Sequence, residues 1–324
     1  MRSHMSRTIT SGDLRADRRY AYAQGCLDDG DPDGAAEMAE QTLEIAPRFA
    51  PAWFLLGRAR EARFARSGRA SEHHAALRAY AAALDIDPED AQGARLALVR
   101  IGAGDAVSAI TPGYVRALFD AYAPRFDRHL VEGLSYRGHA LVADALEATA
   151  ERGASLGRVI DLGCGTGLVG AALAGRPEHL TGIDLSPGML AEAGRRGLYH
   201  RLVEGELVAA LAAEPPASAD AVTAADVMIY VGDFPGMVAG SARVLRPGGR
   251  FAFTVQSHPG DGLILGPDAR YAHGDALVRE TLAAAGLDLE RAEPAGVRRE
   301  NGAEVPGRVI VARRRSRSRV HGGP

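Results

Sequence analysis

The chain has 324 residues, enough for two domains, and 46 % of them are hydrophobic, enough to build a core in each. A net charge of −3 excludes a global field that would draw the chain to nucleic acid or a membrane surface. Cys26 and Cys164 stand far apart, which excludes a disulfide frame and a cysteine-based metal centre and fits a reducing, cytoplasmic setting; no metal is expected.

No apolar run reaches the roughly 18 residues of a membrane helix, and no signal peptide is visible. Residues 1–14 read as a flexible N-terminus, in which Met1-Arg2-Ser3-His4 ahead of Met5 has the look of a cloning remnant.

Residues 15–104 are Ala-rich with helical periodicity and no strand-like alternation. Leu43-Glu44-Ile45-Ala46-Pro47 and Leu84-Asp85-Ile86-Asp87-Pro88 end two segments in the same way. Trp53, Leu56 and Gly57, then Ala76, Tyr80 and Ala83, precede the second ending. This pattern resembles tetratricopeptide (TPR) repeats, in which small residues let paired helices approach closely. Arg19 stands where Trp would be usual in the first unit, and the two prolines are spaced wider than a standard repeat. The excess is assigned to a turn lengthened by Arg66-Ser67-Gly68-Arg69-Ala70-Ser71, and residues 90–103 to a capping helix. Two readings stand side by side: a helical bundle with no binding role, or a groove for a partner peptide or a homodimer contact.

Residues 105–313 alternate strand-like and helical stretches. Strands are expected near 157–162, 179–184, 201–205, 219–225, 249–256, 288–296 and 306–313, with helices between the first six. Such alternation predicts a mostly parallel α/β sheet covered on both faces. The Glu300-Asn301-Gly302 turn, with no helix beside it, predicts a terminal antiparallel hairpin. The tail, 314–324, is basic and is expected to be a solvated end, with RNA or phosphate contact as the lesser reading.

Val159-Ile160-Asp161-Leu162-Gly163-Cys164-Gly165-Thr166-Gly167 reads as a buried strand, an acid and three alternate glycines before a helix. Glycines there leave the backbone bare, so a ligand can approach its amide groups. Leu180-Thr181-Gly182-Ile183-Asp184-Leu185-Ser186-Pro187-Gly188-Met189 is a second strand ending in an acid about 20 residues on, where a carboxylate can accept ribose hydroxyls. Together with Ala225-Asp226-Val227-Met228 after the fourth strand and Leu245-Arg246-Pro247-Gly248-Gly249 before the fifth, these segments resemble class I S-adenosylmethionine-dependent methyltransferases. The resemblance implies a Rossmann-like seven-stranded methyltransferase sheet with a terminal antiparallel hairpin, preceded here by the all-α TPR-like region.

It also implies a cofactor site for S-adenosylmethionine, leaving as S-adenosylhomocysteine. Gly163, Gly165 and Gly167 would face the methionine carboxylate, aided by a helix dipole, with Cys164 a small packing residue between them. Asp161 would steer the loop and attract the ammonium indirectly. Asp184, with Leu185 and Ser186, would take the ribose, and Met189 would wall the adenine. Glu206 with Leu207 stands where an Asp usually meets the adenine amino group, and Ala225 and Asp226 would lie beneath the methionine. The stretch from Tyr114 to Asp127 resembles a lid helix, interrupted by Pro124, with aromatics at Phe119, Tyr122 and Phe126 either covering the cofactor or packing in the core. Tyr136 and Arg137 open the next helix within reach of the cofactor carboxylate.

The order of TPR units, lid segment, "AADVMIYVGD" and "ARYAHGDALVRETLAAAGL" resembles the bacterial TPR-containing predicted methyltransferases over most of residues 20–313. General elements are also similar to the methyltransferase of biotin synthesis, which esterifies a malonyl group on acyl carrier protein. The resemblance implies methyl transfer to an O or N atom of a small-molecule or carrier-bound acceptor. Within residues 258–273, Arg270 would pair with an acidic acceptor or be a surface ion-pair partner. His273 would act as proton acceptor or cap the following helix, while Tyr271 and Tyr230 lie close by in sequence pattern. Ala225-Asp226-Val227-Met228 lacks the Pro-Pro-aromatic motif of enzymes that methylate base amines, so nucleic acid is disfavoured as substrate. An adaptor whose TPR-like part recruits proteins, or an enzyme that methylates a recruited protein, are the other readings.

Overall fold

The computed structural model describes residues 10–127, 136–149, 154–300 and 303–316. The proposed cloning remnant, part of the lid segment, the Asn301-Gly302 turn and most of the basic tail lie outside the described residues. The chain divides into two compact units between Ala117 and Leu118.

The N-terminal unit carries helices α1 (Leu14–Asp28), α2 (Pro32–Ile45), α3 (Ala50–Ser67), α4 (Ala70–Ile86) and α5 (Ala94–Arg100), and the start of α6 (Pro112–Tyr122). Asp13 and Asp31 cap α1 and α2 by accepting backbone N–H bonds from their first turns. Small residues Ala35, Ala39, Ala52 and Ala59 are buried between the helices. At Gly57 a Cβ would lie 2.5 Å from the Tyr80 ring, so only glycine admits the buried Tyr80, whose hydroxyl donates to Glu61 at 2.6 Å. The stretch 66–71 is not a long turn. α3 continues through Ser67, Gly68 at φ +65° closes it, and α4 begins at Ala70. The extra residues lengthen the helix pair to 18 and 17 residues because, apart from Gly68, this segment contains no helix breaker.

The C-terminal unit is built on a seven-stranded sheet in the order β3-β2-β1-β4-β5-β9-β8. Its strands are β1 (Gly157–Leu162), β2 (Pro177–Asp184), β3 (Arg201–Glu204), β4 (Ala219–Ala224), β5 (Leu245–Gln256), β8 (Leu287–Glu300) and β9 (Ala303–Arg314). β1 to β5 pair in parallel, while β9 runs antiparallel to both β5 and β8. A separate small hairpin, β6 (Leu263–Leu265) with β7 (Tyr271–His273), lies in the connection after β5.

Strand alternation sends side chains to opposite faces. Ile160, Leu162, Val222, Phe251 and Phe253 pack under α10 (Leu207–Ala213), α11 (Phe234–Val244) and α12 (Asp275–Ala284). Val159, Leu180, Ala221, Ala252 and Val311 pack under α7 (Gly138–Glu147) and α8 (Leu168–Ala172). The helix α9 (Pro187–Arg196) follows β2. Strand order reverses between β1 and β4, which puts the crevice for a ligand at the carboxyl ends of these strands.

Candidate cofactor and acceptor site

The loop after β1 has Gly163, Gly165 and Gly167 all at positive φ, +60°, +53° and +91°. A Cβ on Gly163 would strike Val227 at 2.5 Å, whereas at Gly165 it would meet nothing within 4 Å. The loop is therefore packed from below at Gly163 and open at Gly165, the open place where a ligand can lie against the backbone. The helix that follows has only five residues, so its dipole adds little, contrary to the sequence-based expectation, and the amides of Cys164, Gly165 and Gly167 already donate to the Ile183 carbonyl, the Asp184 carboxylate and the Cys164 carbonyl.

Asp184, at the end of β2, forms the other lip. Its carboxylate accepts the Gly165 N–H at 2.8 Å and the Ser186 N–H at 2.9 Å, one on each oxygen. This fixes the carboxylate while leaving lone pairs for a ribose diol. Burial pushes its pKa up against these two bonds, and the charge of Asp120 adds to the rise. Ser186 caps α9 by accepting the Met189 N–H at 3.0 Å. Leu185 lies between the two. Met189, in the first turn of α9, is buried.

Asp161 is fully buried beneath the loop. Thr223 on β4 donates to one oxygen at 2.8 Å and the Tyr199 hydroxyl to the other at 2.7 Å. Burial raises its pKa to about 7, opposed by these two donors. Cys164 is buried, its thiol pushed up by burial, with its Sγ against Gly182. Glu206 caps α10, its two oxygens accepting the N–H groups of Val208 at 3.0 Å and Ala209 at 2.8 Å; Leu207 is buried in the first turn. Ala225 follows β4, and Asp226 next to it is held at φ +60°, with its N–H donated to buried Thr254 at 2.8 Å. A non-glycine residue in that conformation beside the crevice is strain at a candidate site.

Residues 118–127, expected as a lid, contact both the glycine loop and the turn after β2. Asp120 accepts the Ser186 hydroxyl at 2.5 Å and the Gly188 N–H at 3.1 Å. Asp127 accepts the Thr166 hydroxyl at 2.5 Å and pairs with Arg196, whose Nε donates to the Thr166 carbonyl at 2.6 Å. α6 ends at Tyr122 and a 3-10 turn over Ala123–Arg125 contains Pro124. Tyr122 stacks edge-on to Phe126 at 5.4 Å, and Phe126 to Phe119 at 6.0 Å. Tyr136 is buried beside His139, which feels the charges of Asp127 and Arg196. Arg137 is exposed and donates its backbone N–H to Val297 at 2.9 Å.

Among the residues expected to meet an acceptor, Tyr230 meets Phe119 edge-on at 5.4 Å, and Arg270 Nε lies 3.5 Å from the Tyr230 hydroxyl and its Nη1 3.8 Å from Asp268. Asp268 also accepts from Gln256 at 3.0 Å. His273 does not belong to this group. It is fully buried against Phe234 at 4.7 Å, neither ring nitrogen makes a full hydrogen bond, and burial pushes its pKa down to about 4. A proton acceptor must reach its substrate, so its role as a base is withdrawn. Tyr271, also fully buried in β7, is withdrawn as an acceptor contact. Tyr199, Thr223, Asp120, Asp127 and Arg196 were not singled out in the sequence. Asp120 and Asp127 lie inside the lid motif, but Tyr199 carries no motif signal.

Residues 160–253 match the family described as a methyltransferase domain. The chain is 38 % identical over 102 residues to a ubiquinone biosynthesis O-methyltransferase of Xylella fastidiosa (strain 9a5c), covering 30 % of this chain and 42 % of that protein. It is 38 % identical over 105 residues to the same-named protein of Paracidovorax citrulli, covering 30 % and 43 %. The chain thus spans less than half the length of these two curated relatives. Among solved structures, the 1,6-didemethyltoxoflavin-N1-methyltransferase of Burkholderia thailandensis is 21 % identical, with a TM-score of 0.48 over 63 % of this chain and 89 % of that one. The matched residues run from β1 into β5 and contain the glycine loop and Asp184, so this span of the C-terminal unit is similar to methyltransferase domains.

Proposed function

We propose that this chain transfers a methyl group from S-adenosylmethionine to an oxygen or nitrogen of a small-molecule acceptor. The observation that carries the reading is the open face of the glycine loop at Gly165, where a Cβ would meet nothing within 4 Å, set directly beside the fixed carboxylate of Asp184. Asp161 and Asp184 are both pushed toward the neutral form by burial, and a cationic ligand relieves that cost. Asp184 would hold the ribose, the bare backbone at Gly165 would lie against the methionine end, and Asp161 would attract the ammonium at second hand. Glu206, its carboxylate fixed by the α10 cap, is the candidate for the adenine amino group. The cofactor supplies a methyl carbon activated by a positive sulfur, so the protein's task is to hold the acceptor in line with it and exclude water.

The lid carries the water exclusion, through Asp120 and Asp127 on the two lips. Phe119 and Tyr230 offer aromatic surface to the acceptor, and Arg270 a half-buried cation that suits an acidic or phenolic group. With His273 and Tyr271 buried, no base is assigned; an acceptor that is already ionised needs none. Among the described residues no helix is long and apolar enough to cross a membrane. The helical unit, TPR-like in its packing of small residues, would serve a protein partner or a second copy of the chain.

Calorimetry with S-adenosylhomocysteine tests the reading. The protein should bind it saturably, and Gly165→Arg, which fills the open lip, should abolish binding. Absence of binding by the parent protein ends the proposal. Incubating cell extract with labelled methyl donor then identifies the acceptor; label in protein bands would move the acceptor class to a recruited protein.

A further inference from the structure

We propose that Tyr199 is a positioning residue of the cofactor site, holding Asp161 as a charged carboxylate and the glycine loop above it in one setting. The inference rests on the cofactor reading given above. Tyr199 sits between α9 and β3, outside every motif in the chain. Its hydroxyl donates to Asp161 at 2.7 Å and accepts the Gly170 N–H at 3.2 Å, so one oxygen ties the acid under the loop to the helix that follows it. Its ring lies under three glycines. A Cβ on Gly167, Gly170 or Gly182 would come within 3.0, 2.8 and 2.8 Å of it, so these positions are bare in order to seat the ring.

A role in packing alone would be met by phenylalanine. The hydroxyl adds something else. Asp161 is buried with no cation against it among the described residues, and two donors, Tyr199 and Thr223, are all that favour its charge. The titratable groups facing it are Tyr199, Cys164 of the loop and Asp184 of β2. Burial raises the Tyr199 phenol and the Cys164 thiol, so both stay protonated near neutral pH. Asp184 pushes Asp161 toward protonation, the same way as burial. Above the loop, Arg196 is occupied by Asp127. Only the hydroxyl donors oppose the loss of charge, and a hydrogen bond to a carboxylate is worth about one pKa unit or more.

The experiment is a pH series of S-adenosylhomocysteine binding, from about pH 5.5 to 8.5, on the full chain and on Tyr199→Phe. In the parent, affinity falls as pH drops through the Asp161 titration. In Tyr199→Phe, which keeps the ring, the midpoint moves up by about one pH unit and affinity at pH 7 drops about fivefold. An unchanged midpoint and affinity, with the parent still binding, overturns this inference and leaves the cofactor reading standing. A parent that binds at no pH removes both. Should the variant fail to fold, 3-fluorotyrosine placed at position 199 of the otherwise native chain gives a second readout. Its fluorine resonance should titrate with the binding midpoint, and a resonance that stays flat across the series overturns the proposal.

Discussion

The burial of His273 makes a prediction whose size follows from the structure. Its side chain is walled in by Phe234, with only weak relief from the Gln256 backbone, and its pKa falls from the usual 6.5 to about 4. The folded state therefore binds this proton less readily than the unfolded chain. The stability it contributes is full above pH 6.5 and is lost as pH falls toward 4. At 1.36 kcal/mol per pH unit, about 2 kcal/mol has gone by pH 5 and about 3 kcal/mol by pH 4. Long-range imidazole nitrogen–proton spectra, with the His273 signal assigned by its loss in His273→Gln, read the titration directly. Urea unfolding of the C-terminal unit at pH 7.5 and 5 reads the linkage. The parent should lose about 2 kcal/mol more than His273→Gln over that interval. A His273 signal that titrates near 6.5, or equal losses in the two proteins, refutes the burial argument and reopens this residue as a base.

Other substitutions separate backbone strain, capping and closure. Gly163→Ala meets both left-handed strain and the Val227 side chain and should cost about 3 kcal/mol, whereas Gly165→Ala, with open space, should cost about 1–2 kcal/mol; equal urea midpoints would contradict the difference in packing. Glu206→Ala removes the α10 cap and should lower stability by about 1 kcal/mol, and no change in the urea midpoint would deny the cap its role. Asp120→Ala releases the lid from Ser186 and Gly188 and should raise the stopped-flow dissociation rate of S-adenosylhomocysteine about tenfold. An unchanged rate would mean that this contact does not hold the lid over the ligand.

The sheet was legible because its signals are local. A strand, an acid and alternate glycines declare β1 and its loop, and Asp184 follows at a fixed distance along the chain. The antiparallel end of the sheet followed from the missing helix between β8 and β9. The hairpin of β6 and β7 escaped because strands of three residues are too short to show a period. His273 and Tyr271 were assigned to chemistry because the residue types suited it; which way a short strand turns is set by what packs on it, here Phe234 of α11. The stretch 66–71 looked like a turn for its Ser and Gly, yet helix formers on both sides of Gly68 carry the two helices up to it. Tyr199 was invisible for a related reason. Its partners Asp161 and Gly170 come from segments 38 and 29 residues away, and only the folded sheet brings them under one ring.

A crystal structure of the protein grown with S-adenosylhomocysteine examines the proposed site most directly. The nucleoside should lie across the carboxyl ends of β1 and β2, its ribose hydroxyls on Asp184 and its amino-acid end against Gly165. Density for the ligand elsewhere, or no density against Gly165 and Asp184 at saturating ligand, would contradict the account.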